Sequence, residues 1–239
     1  ALDRYLGENI PIVSADHIQG GILAANHLIN CGCKNVVQFA GTSVLNSSAN
    51  KRHISFEKVM DDSNVNVHTI EMELNTFSKE QNLHYIDYMF NSYKDIDGVF
   101  ATDNMAILII KECYKRGIDI PKDLKIVGYD GTESSELFIP TLTTIKQPIK
   151  EICIDAVNKL IKLINNENIS LESNHTVTLI KGETTWYIIN ISSTLYVYFS
   201  MSISVGVLYP RHLRGLLFII FTTTSRSFWV IVEKSNLLG

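Results

Sequence analysis

The sequence is short of cysteine, with four thiols in 239 residues. Cys31 and Cys33 are separated by one residue, whereas redox and zinc pairs are separated by two, and no second pair lies at ligand spacing. The spacing therefore supports neither a disulfide framework nor a cysteine zinc site. We predict that Cys31, Cys33, Cys113 and Cys153 are reduced core residues of a cytoplasmic protein.

An excess of basic residues is also missing. The chain carries 21 lysines and arginines against 25 acids, a net charge of −4, and residues 1–185 carry 17 against 24, a net charge of −7. Because DNA affinity comes largely from basic side chains that neutralise phosphates, this acidic body is not typical of a DNA-binding surface. The charged opening, with Asp3 and Arg4, and the lack of a following apolar segment predict no signal peptide.

The patterns that identify common enzymes are absent as well. The seven histidines do not pair with serine or cysteine in a recognisable triad, and the sequence has neither a phosphate-binding loop nor a Glu-x-x-His metal pattern. We therefore predict no catalytic residues, no metal site and no cofactor.

Residues 97–148 contain the most informative pattern that is present. Two short apolar strands, at residues 99–101 and 124–127, each run into an acidic turn that contains Asp103 or Asp130, and a helix at about 104–116 joins them. In open α/β sheets, ligands bind at the carboxyl ends of parallel strands, which is where these polar groups would lie. The alternative is that both aspartates only cap helices or turns, as this residue often does.

Strands and helices alternate along most of the chain. Apolar runs near residues 10–14, 36–41 and 65–70 are separated by helical patterns, and residues 149–165 form a strongly amphipathic helix before a final strand at 177–180. This alternation predicts an α/β fold with a doubly wound parallel sheet.

Three motifs give the chain a family resemblance. The sequence reads Ala-Thr-Asp-Asn-Met-Ala at 101–106, Val-Gly-Tyr-Asp at 127–130 and Leu-Thr-Thr-Ile-Lys-Gln-Pro at 142–148. In this order and spacing they resemble the lactose-repressor (LacI/GalR) family of bacterial transcription regulators, over roughly residues 1–185. The resemblance implies a DNA-binding head followed by a two-subdomain sugar-binding core of the periplasmic-binding-protein type.

The resemblance also implies a layout of subdomains. Residues 1–15 would be a remnant of an amino-terminal subdomain, most of which would be missing, as would the DNA-binding head. Residues 16–146 would form a complete carboxyl-terminal effector-binding subdomain, and 147–185 would cross back to the amino-terminal subdomain through a helix and a strand. Residues 186–239 have no counterpart in the family.

The same resemblance implies a sugar site in the cleft between subdomains. Its residues would be Arg52, Phe77, Thr102, Asp103, Asp130 and Asp16. An arginine offers several fixed donors to hydroxyl groups, an aromatic ring packs on the apolar face of a sugar, and a carboxylate accepts hydrogen bonds. The alternative is a solvated helix arginine, a core phenylalanine and turn-capping aspartates; Thr102 and Asp16 remain evenly balanced between the two interpretations.

The tail leaves three interpretations open. Residues 187–209 contain no charged side chain, and a transmembrane helix needs roughly 20 apolar residues, but serine, threonine and asparagine interrupt this run. The tail would be an extension read in a shifted frame, a membrane or partner segment, or strands that complete the core; membrane contact is not the favoured choice.

These observations predict a cytoplasmic, sugar-responsive transcription regulator of the sucrose or ribose type, present as an effector-binding fragment that does not itself bind DNA. Its effector would be a sugar or sugar phosphate, and operator DNA would be reached only through the absent head. The resemblance also implies a homodimer that is formed near Ile107 and Phe138. The alternative is a periplasmic-type sugar-binding protein of a transporter, which the missing leader peptide, the free cysteines and the motif at 142–148 disfavour.

Overall fold

The computed structural model describes residues 1–41, 48–73, 78–185, 204–208, 216–223 and 226–233. Contacts between residues divide the chain into two compact units, Ala1–Ile188 and Ile189–Gly239. In chain order the first unit contains β1 (Ile12–Ala15), α1 (His17–Asn30), β2 (Asn35–Gly41), α2 (Ser48–Asp62), β3 (Asn66–Met72), α3 (Lys79–Ser92), β4 (Gly98–Phe100), α4 (Asp103–Arg116), β5 (Lys125–Asp130), α5 (Glu133–Leu137), β6 (Thr143–Lys146), α6 (Ile149–Ile164), β7 (Glu172–His175) and β8 (Thr178–Ile180).

A six-stranded sheet organises the first unit. Its strand order is β3-β2-β4-β5-β6-β8, and all neighbours are parallel except β6 and β8, which are antiparallel. The helices α1 and α2 lie on one face of this sheet, and α3 and α4 lie on the other. The predicted doubly wound α/β fold is thereby confirmed.

The strands bury side chains on both faces because helices cover both faces. Along β4, Val99 joins the core beneath α3 and α4, while Phe100 joins the core beneath α1 and α2. Along β5, Ile126 and Val127 divide in the same way. Successive side chains of a strand point to opposite faces, so continuous apolar runs of this kind are typical of a parallel sheet with two helical layers.

Local signals set the ends of the helices. At the start of α1, the Asp16 carboxylate accepts a hydrogen bond of 2.9 Å from the Gln19 amide, and Ser78 caps α3 by accepting one of 3.1 Å from Gln81. At its other end, α4 stops at Gly117, whose φ of 68° lies in the left-handed region that glycine adopts without strain.

The last strands differ from the sequence prediction. β7, which the sequence analysis did not predict, pairs in parallel with β1 in a separate two-stranded sheet. The strand predicted at 177–180 does not accompany it: β8 lies beside β6 at the edge of the six-stranded sheet. The segment 147–185 thus contributes one strand beside β1 and one beside β6, and its assignment to a returning crossover stays a prediction.

The amphipathic helix α6 packs over only part of its apolar surface. Ile152 is buried, whereas Leu160 is 57% exposed. Seven of its large apolar side chains are exposed: Ile149, Ile154, Val157, Leu160, Ile161, Leu163 and Ile164. The prediction that all four cysteines lie in the core also fails here, because Cys153 on α6 is exposed while the other three thiols are buried.

The second unit contains β9 (Ser204–Leu208), β10 (Leu216–Thr223) and β11 (Arg226–Glu233). They form a three-stranded antiparallel sheet with β10 in the centre. Among the residues described, no helix combines the length and the apolar character that crossing a bilayer requires. Most of the charge-free run at 187–209 lies outside the described residues, and the reading-frame hypothesis stays a hypothesis.

Candidate functional site

The candidate site lies at the carboxyl-terminal edge of the parallel strands. Here β5 ends at Asp130, β4 leads through Thr102 into α4, and β1 leads through Asp16 into α1. Arg52, in the first turns of α2, lies over the ring of Tyr129, the residue before the end of β5. Ligands of open α/β sheets bind at this position because the loops and helix amino-termini there are free of the sheet's own hydrogen bonding.

Asp130 occupies a conformation that few non-glycine residues adopt. Its φ is 123°, and its Oδ1 accepts a hydrogen bond of 2.8 Å from Gln147 Nε2. Burial raises the pKa of the carboxyl group, while the positive charge of Arg52 acts against that rise. A strained backbone that is held by its surroundings is typical of functional sites, where it aims a side chain that an ordinary turn would direct elsewhere.

Arg52 is fixed on two sides. The carbon at the centre of its guanidinium group lies 4.2 Å from the centroid of the Tyr129 ring, and its Nε donates a hydrogen bond of 3.3 Å to His53 Nε2. Only 9% of the residue is exposed. Since stacking and the Nε bond restrain the plane, the two terminal nitrogens keep a fixed direction for hydrogen bonding.

Two glycines of α1 allow this close packing. A Cβ atom on Gly21 would lie 2.1 Å from the Arg52 carbonyl oxygen, and one on Gly20 would lie 2.7 Å from ring atoms of Tyr129. Gly21 therefore allows the α1 and α2 backbones to approach each other, and Gly20 leaves room for the Tyr129 ring.

A chain of hydrogen bonds through His53 and Gln38 holds Arg52 in place. Because His53 Nε2 accepts from Arg52, its Nδ1 carries the proton and donates to Gln38 Oε1 at 3.1 Å. Gln38 Nε2 then donates to Glu57 Oε1 at 2.7 Å and to Thr69 Oγ1 at 3.0 Å. Burial, together with the charge of Arg52, lowers the pKa of His53 to about 3, so the imidazole is neutral.

The neutral state of His53 predicts acid sensitivity of the fold. The pKa of His53 in the folded state lies below its unfolded value of 6.5. Above pH 6.5 the imidazole is neutral in both states; as the pH falls from 6.5 towards 3, only the unfolded state takes up the proton, so the free energy of unfolding decreases. Between neutrality and about pH 5 we expect a loss of about 2 kcal/mol. Urea unfolding of the wild type and of His53→Gln, which keeps one acceptor and one donor, should differ in pH dependence by this amount; equal slopes would contradict the assignment.

Asp103 lies in the interior, with no exposed surface. Its Oδ1 accepts a hydrogen bond of 2.6 Å from Thr144 Oγ1, and its Oδ2 accepts from the amide and the hydroxyl of Thr132, at 2.7 and 3.0 Å. Burial raises its pKa, and these hydrogen bonds limit the rise. A Cβ atom on Gly128 would lie 2.3 Å from Oδ1, so the glycine of the Val-Gly-Tyr-Asp motif makes room for this carboxylate.

Comparison with known proteins decides the family. The family model described as periplasmic binding protein-like domain matches residues 25–185. The chain belongs to this family. It is 38% identical over 184 residues to the sucrose operon repressor of Streptococcus mutans, a match that covers 77% of this chain and 56% of the relative. The chain spans about half the length of the curated relatives it matches.

Solved structures of the family agree with this assignment. A periplasmic binding protein/LacI transcriptional regulator from Alkaliphilus metalliredigens, complexed with D-xylulofuranose, has a TM-score of 0.69 and 29% identity, and covers 78% of this chain and 70% of its own. A dimeric Lac repressor has a TM-score of 0.69 and 26% identity, and covers 78% and 68%. The predicted resemblance to the lactose-repressor regulators is confirmed.

Asp16, Thr102 and Phe77 are the remaining residues that the family resemblance implies for the sugar site. Asp16 caps α1 and is half-buried. Thr102 is the N-cap residue of α4, where its carbonyl accepts a bond of 2.8 Å from the Ala106 amide. Phe77 lies outside the described residues. Arg52, Asp103 and Asp130 are brought together closely enough that the charges of the first two shift the pKa of the third.

Sequence reasoning missed the residues that hold Arg52 in place. Tyr129 was read only as part of a motif, and His17, Gln38 and His53 were not assigned to the site. The available signal was their polarity at positions that periodicity assigns to buried strand and helix faces, because buried polar groups need specific partners.

Proposed function

We propose that residues 1–185 form the effector-binding part of a LacI/GalR-type regulator of carbohydrate metabolism, and that the effector is a sugar or a sugar phosphate. The observation that carries this proposal is the placement of two restrained polar groups at the carboxyl end of β5: Arg52 lies over the ring of Tyr129, and Asp130 follows Tyr129 directly in the chain. A restrained donor group and a restrained acceptor therefore both lie at this edge, the first held by Tyr129 and His53 and the second by Gln147.

Such a pair suits a polyhydroxylated ligand. A sugar hydroxyl both donates and accepts, so it can accept from a terminal nitrogen of Arg52 and donate to Asp130. The same arginine would pair with the phosphate of a phosphorylated sugar. Phe77, Thr102 and Asp16 remain proposed contacts at the rim, whereas the complete burial of Asp103 supports a positioning role beneath the ligand.

Relatives favour a regulator over the binding protein of a transporter. The Streptococcus mutans relative is named an operon repressor, and the similar solved structures include a Lac repressor. We propose on this basis that the protein acts by binding and not by catalysis, and in the cytoplasm, where a repressor meets its operator. Recognition of operator DNA is proposed only for a full-length protein, because residues 1–185 carry a net charge of −7.

The experiment that tests this function is a binding screen with the purified 239-residue chain. Isothermal titration calorimetry and saturation-transfer NMR would be run with sucrose, D-ribose, D-xylulose and their phosphate esters. We expect saturable binding of at least one of these ligands, with mannitol as the matched polyol control. Failure of every ligand to bind, with the chain shown to be folded by circular dichroism, would contradict the proposed function.

We also propose a homodimer that is formed through the surface around Ile107 and Phe138. Ile107 on α4 is half-buried, Phe138 is 39% exposed, and its neighbours Leu137 and Ile139 are 81% and 89% exposed. Adjacent exposed apolar side chains of this size favour a covered surface.

Sedimentation equilibrium tests the dimer. We expect the wild-type chain to dimerise and Phe138→Asp to weaken association by about tenfold or more, since a carboxylate would be buried against an apolar surface. Ile54→Asp, at a position on α2 that is 66% exposed, is the control and should leave association unchanged. A wild-type chain that stays monomeric at high concentration would refute the proposal.

A further inference from the structure

His17, the first residue of α1, connects two distant parts of the first unit. Its Nε2 lies 2.7 Å from Asp3 Oδ1, and its Nδ1 lies 2.9 Å from the hydroxyl oxygen of Tyr129. The imidazole and the Tyr129 ring are stacked, with an interplanar angle of 21°. His17 is 2% exposed and Tyr129 is fully buried, so solvent does not compete for the bond between them, whereas the Asp3 side chain is 40% exposed.

The partners fix the direction of both hydrogen bonds when the imidazole is neutral. A carboxylate can only accept, so Nε2 carries the proton and donates to Asp3. Nδ1 is then an acceptor, and the Tyr129 hydroxyl donates to it. Asp3 therefore sets the tautomer that allows His17 to orient Tyr129.

The orientation of Tyr129 matters because its ring carries Arg52. The guanidinium lies over the ring face at 4.2 Å from the centroid. Gly20 contributes the space for the ring, since any side chain there would displace it. A phenol that is held at its hydroxyl cannot tilt, and the guanidinium above it keeps a fixed plane.

We propose that His17 and Tyr129 are positioning residues for Arg52, and that Asp3 anchors them by setting the tautomer of His17. The inference rests on the proposed function in that Arg52 is the residue that binds the sugar. Beyond that function, the affinity for the sugar would depend on the contacts that lead from Asp3 through His17 and Tyr129 to Arg52. Of these residues, only Arg52 would touch the ligand.

A purely structural role would not require this polarity. A phenylalanine at 129 and an apolar residue at 17 would fill the same volume without burying a hydroxyl and an imidazole, which must then be satisfied by specific partners. Buried polar networks that are fully satisfied fix one arrangement of the side chains, which is the property that a binding site requires.

Two conservative variants of His17 separate positioning from packing. In His17→Asn the amide oxygen takes the place of Nδ1 and accepts from the Tyr129 hydroxyl, so this contact is kept and contact with Asp3 is lost. In His17→Gln the amide nitrogen takes the place of Nε2, so contact with Asp3 is kept and contact with Tyr129 is lost. Tyr129→Phe removes the same bond as His17→Gln from the opposite side while keeping the ring.

The primary readout is the Nε–Hε NMR signal of Arg52 in the full 239-residue chain, which needs no ligand. The chain has six arginines, and Arg52→Lys identifies the signal by its loss. In the wild type and in His17→Asn, we expect the chemical shift of the Arg52 signal to differ from the shifts of the exposed arginines. In His17→Gln and Tyr129→Phe it should move towards the exposed position.

The secondary readout is affinity for whichever sugar of the binding screen is bound. We expect His17→Gln and Tyr129→Phe to weaken it about three- to tenfold, the effect of one net hydrogen bond, and His17→Asn to stay within about twofold of the wild type. Asp155→Ala is the matched control, because it removes the His175–Asp155 contact of 3.1 Å elsewhere in the unit, and both readouts should be unchanged.

An Arg52 signal that is unaffected by His17→Gln and Tyr129→Phe would overturn the proposal, as would equal changes in His17→Asn and His17→Gln. Failure of every sugar to bind would instead refute the proposed function, and the Arg52 signal would still decide whether His17 and Tyr129 position the guanidinium. All spectra would be recorded well below the melting temperature of each variant, so that unfolding does not contribute.

Discussion

Replacing Arg52 with alanine is expected to weaken sugar binding about a hundredfold. A hydrogen bond to a charged group contributes about 1.5–3 kcal/mol, and each 1.4 kcal/mol corresponds to a factor of ten in affinity, so the loss of two such bonds reaches this size. The guanidinium is also held before the ligand arrives, by the Tyr129 ring and by His53, which reduces the entropy lost on binding. The measurement is calorimetric titration with the sugar that the wild type binds.

Graded variants distinguish the parts of this effect. Arg52→Lys keeps the charge but loses the planar fork, and we expect about a tenfold loss. Asp130→Asn keeps an acceptor for Gln147 but removes the negative charge, with a similar expected loss. Lys51→Ala is the matched control on the same helix. The Lys51 Nζ lies 3.6 Å from Glu172 Oε1 and its side chain is half-exposed, so this variant removes a positive charge next to Arg52 in the sequence without removing a buried guanidinium. Wild-type affinity in both Arg52→Ala and Asp130→Asn would remove these residues from the site.

Replacing Asp103 with alanine is expected to lower the free energy of unfolding by about 3 kcal/mol, roughly 6–12 °C in Tm. The carboxylate has no exposed surface and joins the start of α4 to Thr132 after β5 and to Thr144 on β6. Without it, the buried Thr144 hydroxyl and the Thr132 amide lose their acceptor, and a cavity is left behind. Urea unfolding followed by circular dichroism measures the change.

Milder variants of Asp103 test whether the hydrogen bonds cause this loss. Asp103→Asn keeps the shape but turns one acceptor into a donor that faces Thr132 or Thr144, and should lose about 1 kcal/mol. A double-mutant cycle with Thr144→Val should show a coupling of about 1 kcal/mol. Asp87→Ala is the control, because Asp87 is exposed and pairs only at the surface with Arg116, so less than about 1 kcal/mol is expected. A loss for Asp103→Ala no greater than that for Asp87→Ala would contradict the assigned role.

The sequence predicted the chain position of Asp103 but not the direction of its side chain. Its position in the turn after β4 followed from the apolar run that precedes it, as did that of Asp130 after β5. Whether a carboxylate at such a turn faces the solvent or the interior depends on its partners, which here lie 29 and 41 residues further along the chain. Spacing within one motif carries no information about those partners.

For β8 and α6, too, the sequence predicted the element but not its packing. Hydrophobic periodicity located both the strand near 177–180 and the helix near 149–165, because it depends only on neighbours in the chain. It did not show that β8 would dock beside β6, or that Leu160 would be exposed. Both outcomes depend on which surface is available in the folded unit.

By itself the sequence determined the doubly wound α/β fold, the family, and the residues that come to the carboxyl edge of the sheet. These follow from local periodicity, from turn residues and from motif order, all of which are properties of short segments. Only the tertiary structure decided how Arg52 is held. The His17–Tyr129 bond joins residues 112 positions apart, and Arg52 meets the Tyr129 ring where Gly21 allows α1 to approach α2 and Gly20 leaves room for the ring. Contacts between distant segments are fixed by packing geometry, which the chain acquires only when it folds.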